Sequence, residues 1–159
     1  MALLGAGVYL ILHEEGVEWE KYSDEEYRFS FSYPPDWDLK HGNIPEELLG
    51  DTKRGVVVVA SRGDLKAGVE AGEESLTLDE LREKYLIMWG DFYLEIIEEE
   101  NCEVSGVPAI RWRIADGGSH EVVIAVKGDM WYRLATVAPL DDYPGETFGR
   151  IMASFSIDG

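Results

Sequence analysis

The sequence predicts an α+β domain in which helices cover an antiparallel sheet. Several segments alternate apolar and polar residues with the two-residue period of a half-buried strand. Short turns join neighbouring strands, which favours antiparallel pairing, and two segments carry apolar residues at helical spacing. The order along the chain is two strands, a helix, several strands and a final helix. This order is typical of a sheet with helices packed on it.

The first predicted strand is Tyr27–Tyr33, in which aromatic residues occupy every second position. Pro34 ends it, because proline has no N–H to donate to a sheet ladder. Trp37 follows and is predicted to anchor the core. The run of valines in Gly55–Ser61 predicts a buried strand. The remaining stretches of this half are polar or rich in Gly, Pro and charge, and are predicted to be irregular: residues 13–26, 38–54 and 62–76.

The clearest predicted helix is Thr77–Trp89. Thr77 and Glu80 form the Thr-x-x-Glu pattern of a capping box, and Gly90 is a suitable stop signal. Glu80 and Lys84 are spaced as a favourable i,i+4 ion pair. One apolar stripe at helical spacing is predicted to face the core: Leu78, Leu81, Tyr85 and Met88.

The second half of the chain predicts a succession of strands closed by a helix. The predicted strands are Tyr93–Ile97, Cys102–Val104, Val107–Ala115, Glu121–Lys127 and Met130–Ala138. Turn signals lie between them at Ser105-Gly106, Asp116-Gly117-Gly118 and Gly128-Asp129. A helix is predicted over Tyr143–Ser154, and Phe155–Ile157 is predicted to return as a short closing strand.

The N-terminal segment, residues 1–21, differs from the domain predicted over residues 22–159. Ala2–Leu12 is an uninterrupted apolar run that is shorter than the ~20 residues of a membrane span, and an acidic lead-in follows it. The run is either a strand or helix packed on the domain, or the outer end of a membrane anchor. The anchor alternative predicts an extracytoplasmic domain, and the packed alternative predicts a cytoplasmic one.

The charge of the chain restricts its partners. Lys plus Arg number 14 and Asp plus Glu number 32, so the net charge over 159 residues is −18. Such a surface repels the phosphates of nucleic acids and anionic lipids, and it attracts basic proteins and cations. Solubility alone is the other interpretation of this charge. We therefore expect a protein partner, no nucleic acid, and weak divalent-cation binding at most.

No catalytic constellation is found in the sequence. Cys102 is the only cysteine, which excludes an intramolecular disulfide, and it is predicted to be a small buried apolar residue. The three histidines, His13, His41 and His120, lack partners at metal-ligand spacing. Nucleophile-elbow, phosphate-loop and dinucleotide-binding signatures are absent. We predict no catalytic residue, no cofactor and no metal site.

A set of anchor residues follows a definite order along the chain. It opens with Tyr27-x-Phe29-x-Phe31-x-Tyr33-Pro34-x-x-Trp37. Further members follow in order: Thr77-Leu78-x-x-Leu81, Ser105-Gly106-Val107-Pro108-Ala109, Gly128-x-x-Trp131-Tyr132-x-Leu134 and Phe148-x-x-Ile151-x-x-Ser154-Phe155. This ordered set resembles the PsbP-like superfamily, whose domains begin with an aromatic strand. The resemblance implies an α/β/α sandwich with an antiparallel sheet of about six strands between helices. The matched residues are core and turn positions, so no functional residue is carried over.

Members of this superfamily differ in function: one assists photosystem II and another binds the GTPase Ran. The resemblance and the missing catalytic set together favour a non-enzymatic accessory or protein-binding domain. The alternative is a small-ligand or divalent-cation-binding module, and an enzyme of unknown type comes third. The surfaces expected to contact a partner are a sheet edge, the stretch 38–54 and the acidic segment 95–103.

Overall fold

A computed structural model of the protein describes residues 17–43, 55–91, 95–115, 118–139 and 145–158. The predictions made for Ala2–Leu12 and for the turn at Asp116-Gly117 lie outside these residues. The ten strands of the described residues are β1 (Glu20–Asp24), β2 (Phe29–Tyr33), β3 (Asp38–Asn43), β4 (Gly55–Arg62), β5 (Leu65–Glu73), β6 (Glu95–Val104), β7 (Val107–Ala115), β8 (Gly118–Lys127), β9 (Met130–Pro139) and β10 (Ser156–Ile157). The two helices are α1 (Leu78–Asp91) and α2 (Gly145–Ser154).

The strands form two antiparallel sheets. The larger has seven strands in the order β3-β4-β5-β9-β8-β7-β6, and the smaller has three in the order β1-β2-β10. Hairpins connect β4 to β5, β6 to β7 and β8 to β9, as short turns between neighbouring strands require. The strands β3 and β6 are the edges of the larger sheet.

The layers are those of an α+β sandwich, so the predicted fold class is confirmed. Helix α1 packs on β7 and β8 of the larger sheet, and its core includes the fully buried Trp112. The opposite face of that sheet packs on β2 and α2, with Phe29, Phe31 and Phe148 fully buried between them. Trp37 is 6% exposed and belongs to this second core, as predicted.

Local sequence signals account for several elements as predicted. At the start of α1, the Thr77 N–H donates to the Glu80 carboxylate at 2.7 Å, and the Glu80 N–H donates to Thr77 Oγ1 at 3.2 Å. This reciprocal pair is the predicted capping box. Ser105 and Gly106 both have positive φ, 53° and 75°, which is the turn geometry that links two-residue hairpins. The closing strand is present as β10, which pairs with β2.

Three stretches predicted to be irregular contain strands. Within residues 62–76, β5 is a central strand of the larger sheet, paired on both sides. Asp38–Asn43 forms β3, while residues 44–54 lie outside the described residues. Glu20–Asp24 of the acidic lead-in forms β1. The glycines and charged residues of β5 led to the wrong prediction of a loop. Gly68 and Gly72 do not form a turn; they let residues of the neighbouring strands approach the β5 backbone closely.

Other details of the prediction were wrong. The segments Tyr93–Ile97 and Cys102–Val104 are not separate, because one strand, β6, runs from Glu95 to Val104 with an irregularity between Ile96 and Glu98. On α1, Met88 is 36% exposed, and Trp89 takes its place in the core below Tyr85. The stripe therefore continues at i+4 spacing rather than i+3.

Candidate functional site

A groove with a volume of about 440 Å³ runs beside α1 on the outside of the molecule. It lies between the helix and the segment 74–77, which connects β5 to α1. We call it the α1 groove. The connection contributes Glu74, Ser75 and Leu76 to its lining. The solvent side of the helix contributes Asp79, Glu80, Glu83, Lys84 and Ile87.

Local contacts fix both walls of the α1 groove. The capping box between Thr77 and Glu80 sets the first turn of the helix. The Glu74 N–H donates to the Asp129 carbonyl at 2.8 Å, which holds the start of the connection on the β8–β9 turn. The Lys84 ammonium then binds the Glu74 carboxylate at 2.5 Å and joins the two walls. This contact replaces the predicted ion pair between Glu80 and Lys84.

Ile87 supplies an exposed apolar surface in this groove. Its side chain is 68% exposed, the most exposed of the large apolar side chains that the structure describes. Leu76 lies in the same groove, half-buried, and packs on the core beneath α1. A buried stripe on the other side of the helix already binds it to the sheet, so Ile87 has no part in that packing. Exposed aliphatic surface costs free energy in water, and covering the Ile87 side chain would recover part of that cost.

The charges of the α1 groove are strongly unbalanced. Its lining contains four carboxylates, Glu74, Asp79, Glu80 and Glu83, and a single ammonium group, that of Lys84. The neighbouring cation Arg82 offsets them only in part, because its guanidinium is shared between Glu83 of the groove and Glu99 on β6. The groove is therefore an anionic surface with an aliphatic centre.

A second charged concavity, of about 180 Å³, lies on β6, β7 and β8 and has a different character. We call it the glutamate–arginine ladder. Arg113 binds Glu98 at 3.1 Å, and Arg111 binds Glu121 at 2.7 Å and Glu100 at 3.6 Å. The two arginines thus engage all three glutamates. Such ion pairs join adjacent strands, and this arrangement supports a structural role for the acidic segment 95–103.

Glu99 lies on the opposite side of β6 from the ladder and joins that strand to α1. Its carboxylate accepts hydrogen bonds from the Arg82 guanidinium, at 3.0 and 3.1 Å, and from the Trp112 indole N–H. The hydrogen bonds from Arg82, supported by that from Trp112, lower the pKa of the Glu99 carboxyl below its ordinary value. Glu99 therefore stays ionised as a fixed acceptor at the helix–sheet contact.

A third concavity, of about 560 Å³, lies at the turns that precede β2 and β9. Arg28 and Lys127 contribute cations to it, while Glu73, Asp129 and Asp158 contribute carboxylates. Beneath it, the Tyr132 hydroxyl donates to the Tyr27 carbonyl at 2.7 Å in the core. Its mixed charges favour no particular ligand.

Burial shifts the pKa values of several described side chains. Burial raises the pKa of Tyr22 and of Tyr132 to about 12. Burial also raises the pKa of the Cys102 thiol, which keeps it protonated and weakly nucleophilic.

Of the three histidines considered in the sequence, the structure describes the side chain of His41 alone. His41 lies on β3 with its ring 6.5 Å from that of Tyr22, while His13 and the side chain of His120 lie outside the description. Within the described ranges, no three His, Cys, Asp or Glu side chains converge as metal ligands. Among the same residues, no helix is long and apolar enough to cross a membrane. The location of the protein stays a prediction, since it depends on Ala2–Leu12.

Sequence reasoning missed the α1 groove. The available signal was Ile87, a large apolar residue at a helix position that the core stripe leaves to solvent. Its neighbours in the groove, Glu74 and Leu76, precede the helix and were part of a predicted loop. Only the folded connection between β5 and α1 brings them beside Ile87.

The architecture matches that of a known protein. The structure of cyanobacterial PsbP (CyanoP) from Synechocystis sp. PCC 6803 aligns with a TM-score of 0.66 over 89% of this chain and 93% of that one, at 14% identity. The fold is PsbP-like. Two other structures align less well. One is of a Bacteroides thetaiotaomicron protein, with a TM-score of 0.44 and 12% identity over 88% of this chain and 48% of that one. The other is of a Pseudomonas aeruginosa protein of unknown function, with a TM-score of 0.43 and 12% identity over 86% of this chain and 95% of that one. No protein-family model matches the sequence, and no curated protein does.

The PsbP-like fold agrees with the positions of the residues that suggested it. Trp37 and Phe155 are buried in the core between β2 and the larger sheet, and Gly106 occupies the β6–β7 turn with positive φ. These residues build the fold. The α1 groove lies outside this set, so the likeness itself assigns no ligand to it.

Proposed function

We propose that this PsbP-like protein is a non-catalytic accessory domain that binds another protein. The observation that carries the proposal is the α1 groove, in which the exposed aliphatic side chain of Ile87 lies among carboxylates on a rigid helix. An apolar centre with a polar rim is the arrangement of many protein–protein interfaces.

Two side chains with shifted pKa values are consistent with a binding role. The pKa of the Cys102 thiol is raised and that of the Glu99 carboxyl is lowered, so both groups are held in their ordinary neutral-pH states. Their partners are structural, since Glu99 joins α1 to β6. A binding domain needs fixed charges of this kind, whereas general acid–base chemistry needs groups that exchange protons near the working pH.

Site-specific photocrosslinking in the source cells tests the proposal. A photoreactive phenylalanine analogue replaces Ile87 in the full chain, and in a control chain it replaces Ile97, which is 55% exposed on β6 outside the groove. We expect one discrete crosslinked protein from position 87 and none from position 97. The absence of any protein adduct from position 87, with the chain folded and abundant, would contradict a protein-binding role for this surface.

A further inference from the structure

We infer that the α1 groove binds a short basic segment of its partner, one in which lysines or arginines flank a single aliphatic side chain. The inference rests on the proposed function, because it names the partner chemistry that the same surface would select. It is carried by three features of the groove: its excess of carboxylates, the exposed side chain of Ile87, and the distance between them.

The charge excess selects a cationic ligand. In the glutamate–arginine ladder, three carboxylates face two guanidinium groups that bind them. In the α1 groove, four carboxylates face one ammonium group, which is bound to Glu74, and Arg82 is shared between Glu83 and Glu99. The groove thus carries a local anionic excess that the ladder has largely neutralised. An acidic segment or nucleic acid would be repelled, and a basic segment would be attracted.

The apolar centre selects an aliphatic side chain in addition to charge. Leu76 and Ile87 line the same groove, and Ile87 is 68% exposed. Covering them removes apolar surface from water, which a purely polylysine-like ligand would not do. Charge alone would attract any basic chain, so the aliphatic contact provides the discrimination between basic sequences.

The helix sets the spacing of the ligand. Glu83 lies one turn before Ile87, about 6 Å along the axis, and Asp79 lies two turns before it, about 12 Å, at a rise of ~1.5 Å per residue. An extended peptide advances ~3.3 Å per residue, so positions two and four residues from its aliphatic anchor fall beside these carboxylates. We therefore expect basic residues at the second and fourth positions from the anchor.

The groove is organised before a ligand arrives. The capping box fixes Thr77 and Glu80, and the hydrogen bond from the Glu74 N–H to the Asp129 carbonyl fixes the start of the connection. Little conformational freedom of the protein is then lost on binding, which favours recognition of even a short segment.

The probe is a nonapeptide, Lys-Ser-Lys-Ser-Leu-Ser-Lys-Ser-Lys, which presents the predicted spacing in both chain directions. Binding to the full chain is followed by fluorescence anisotropy at low and high salt. We expect saturable binding that weakens as salt rises, since the contacts are surface charges. A peptide with Ser in place of Leu should bind about tenfold more weakly, and a peptide with Glu in place of Lys should not bind.

Matched variants localise the binding. Ile87→Ser should weaken binding of the nonapeptide by about tenfold, whereas Ile97→Ser should leave it unchanged. The pair Asp79→Asn and Glu83→Gln should weaken it by about fivefold at low salt, while Glu95→Gln and Glu103→Gln, exposed on β6, should have a smaller effect. Circular dichroism and thermal unfolding of each variant verify that the fold is retained.

Several results would overturn the inference. Equal binding by the Ile87→Ser and Ile97→Ser variants would show that the attraction is not localised in the groove. Equal binding of the Leu and Ser peptides would show that charge alone acts. Self-association of the chain that Ile87→Ser abolishes, seen by light scattering, would show that a second copy covers the groove. If position 87 crosslinks to a protein but this chain fails the peptide-binding tests, the proposed function stays intact and only the basic-segment chemistry is refuted.

Discussion

The indole of Trp131 lies directly against the backbone of Gly72, its cross-strand partner between β5 and β9. A Cβ atom at Gly72 would be 2.6 Å from three atoms of that ring. Trp131 is 6% exposed and packs in the core beneath α1, so its ring has little freedom to move aside. The close contact explains why a glycine stands in the middle of a sheet.

Replacing Gly72 therefore destabilises the sheet. We expect Gly72→Ala to lower the free energy of unfolding by about 1–3 kcal/mol, because the added methyl group overpacks the indole. Urea denaturation measures the change. Gly42→Ala is the matched control, since no atom lies within 4 Å of its added Cβ on the edge strand β3. Equal losses in the two variants would show that steric contact with Trp131 is not the cause.

Much of the fold was predictable from local signals, and the failures have physical causes. The strand predicted over Val107–Ala115 is β7, and the capping box predicted the start of α1. Strand β5 was missed because Gly72 suggested a loop. In the fold this glycine makes room for the indole of Trp131, fifty-nine positions later in the chain. Tertiary context overrode strand propensity at that position.

The candidate site was less predictable than the fold. Its acidic residues belong to a chain with net charge −18, so no single carboxylate is distinctive in sequence. The partner of Lys84 is Glu74, ten residues before it, rather than the i−4 residue Glu80 that helix rules favour. Glu80 is instead engaged by the cap at Thr77, which leaves Lys84 free to join the helix to the preceding connection.

Glu99 makes stability depend on acidification. Its folded-state pKa is lowered below the ordinary value of 4.5, so its stabilising contribution is present above that pH and is lost as the pH falls through the folded-state value. We expect Glu99→Gln to be less stable than the parent at pH 7, and this difference to shrink as the pH falls below about 4.5. Denaturant unfolding at a series of pH values measures it. A constant difference at all pH values would contradict the ionic role of Glu99.

Arg28 occupies a left-handed backbone conformation, with φ of 57°, in the turn between β1 and β2. A side chain is strained there, so Arg28→Gly should raise the free energy of unfolding by about 1 kcal/mol. Ser105 has a similar φ of 53°, but its Oγ accepts a hydrogen bond from the Ile157 N–H at 3.0 Å. Ser105→Gly should therefore bring no net gain. Thermal unfolding distinguishes the two, and stabilisation by Ser105→Gly alone would refute this explanation.

The Tyr132 hydroxyl makes stability sensitive to alkali. It donates to the Tyr27 carbonyl, and burial raises its pKa from 10.0 to about 12. Its contribution is complete below pH 10 and is lost as the pH rises through about 12. Tyr132→Phe should cost about 1–2 kcal/mol near neutral pH and lose stability less steeply in alkali. Parallel pH profiles for the parent and the variant would contradict this.

Among the described residues that line the α1 groove, Lys84 is the one cation. Its removal should strengthen peptide binding, whereas the other groove variants should weaken it. Lys84→Gln removes the positive charge of this ammonium group from the groove lining, so the nonapeptide should bind about two- to fivefold more tightly at low salt. Lys127→Gln, outside the groove, is the charge-matched control. Weaker binding by the Lys84→Gln variant than by this control would contradict an anionic groove.

The central claim is tested most directly by the methyl NMR signals of isoleucine in the full chain during titration with the nonapeptide. Ile87 lies in the α1 groove, and Ile97 is comparably exposed outside it. The predicted result is a saturable shift of the Ile87 δ1-methyl signal with the Ile97 signal unchanged, and its loss with the Glu-substituted peptide. Shifts of equal size at both methyl groups, or no shift at Ile87 when the peptide is bound, would contradict the claim.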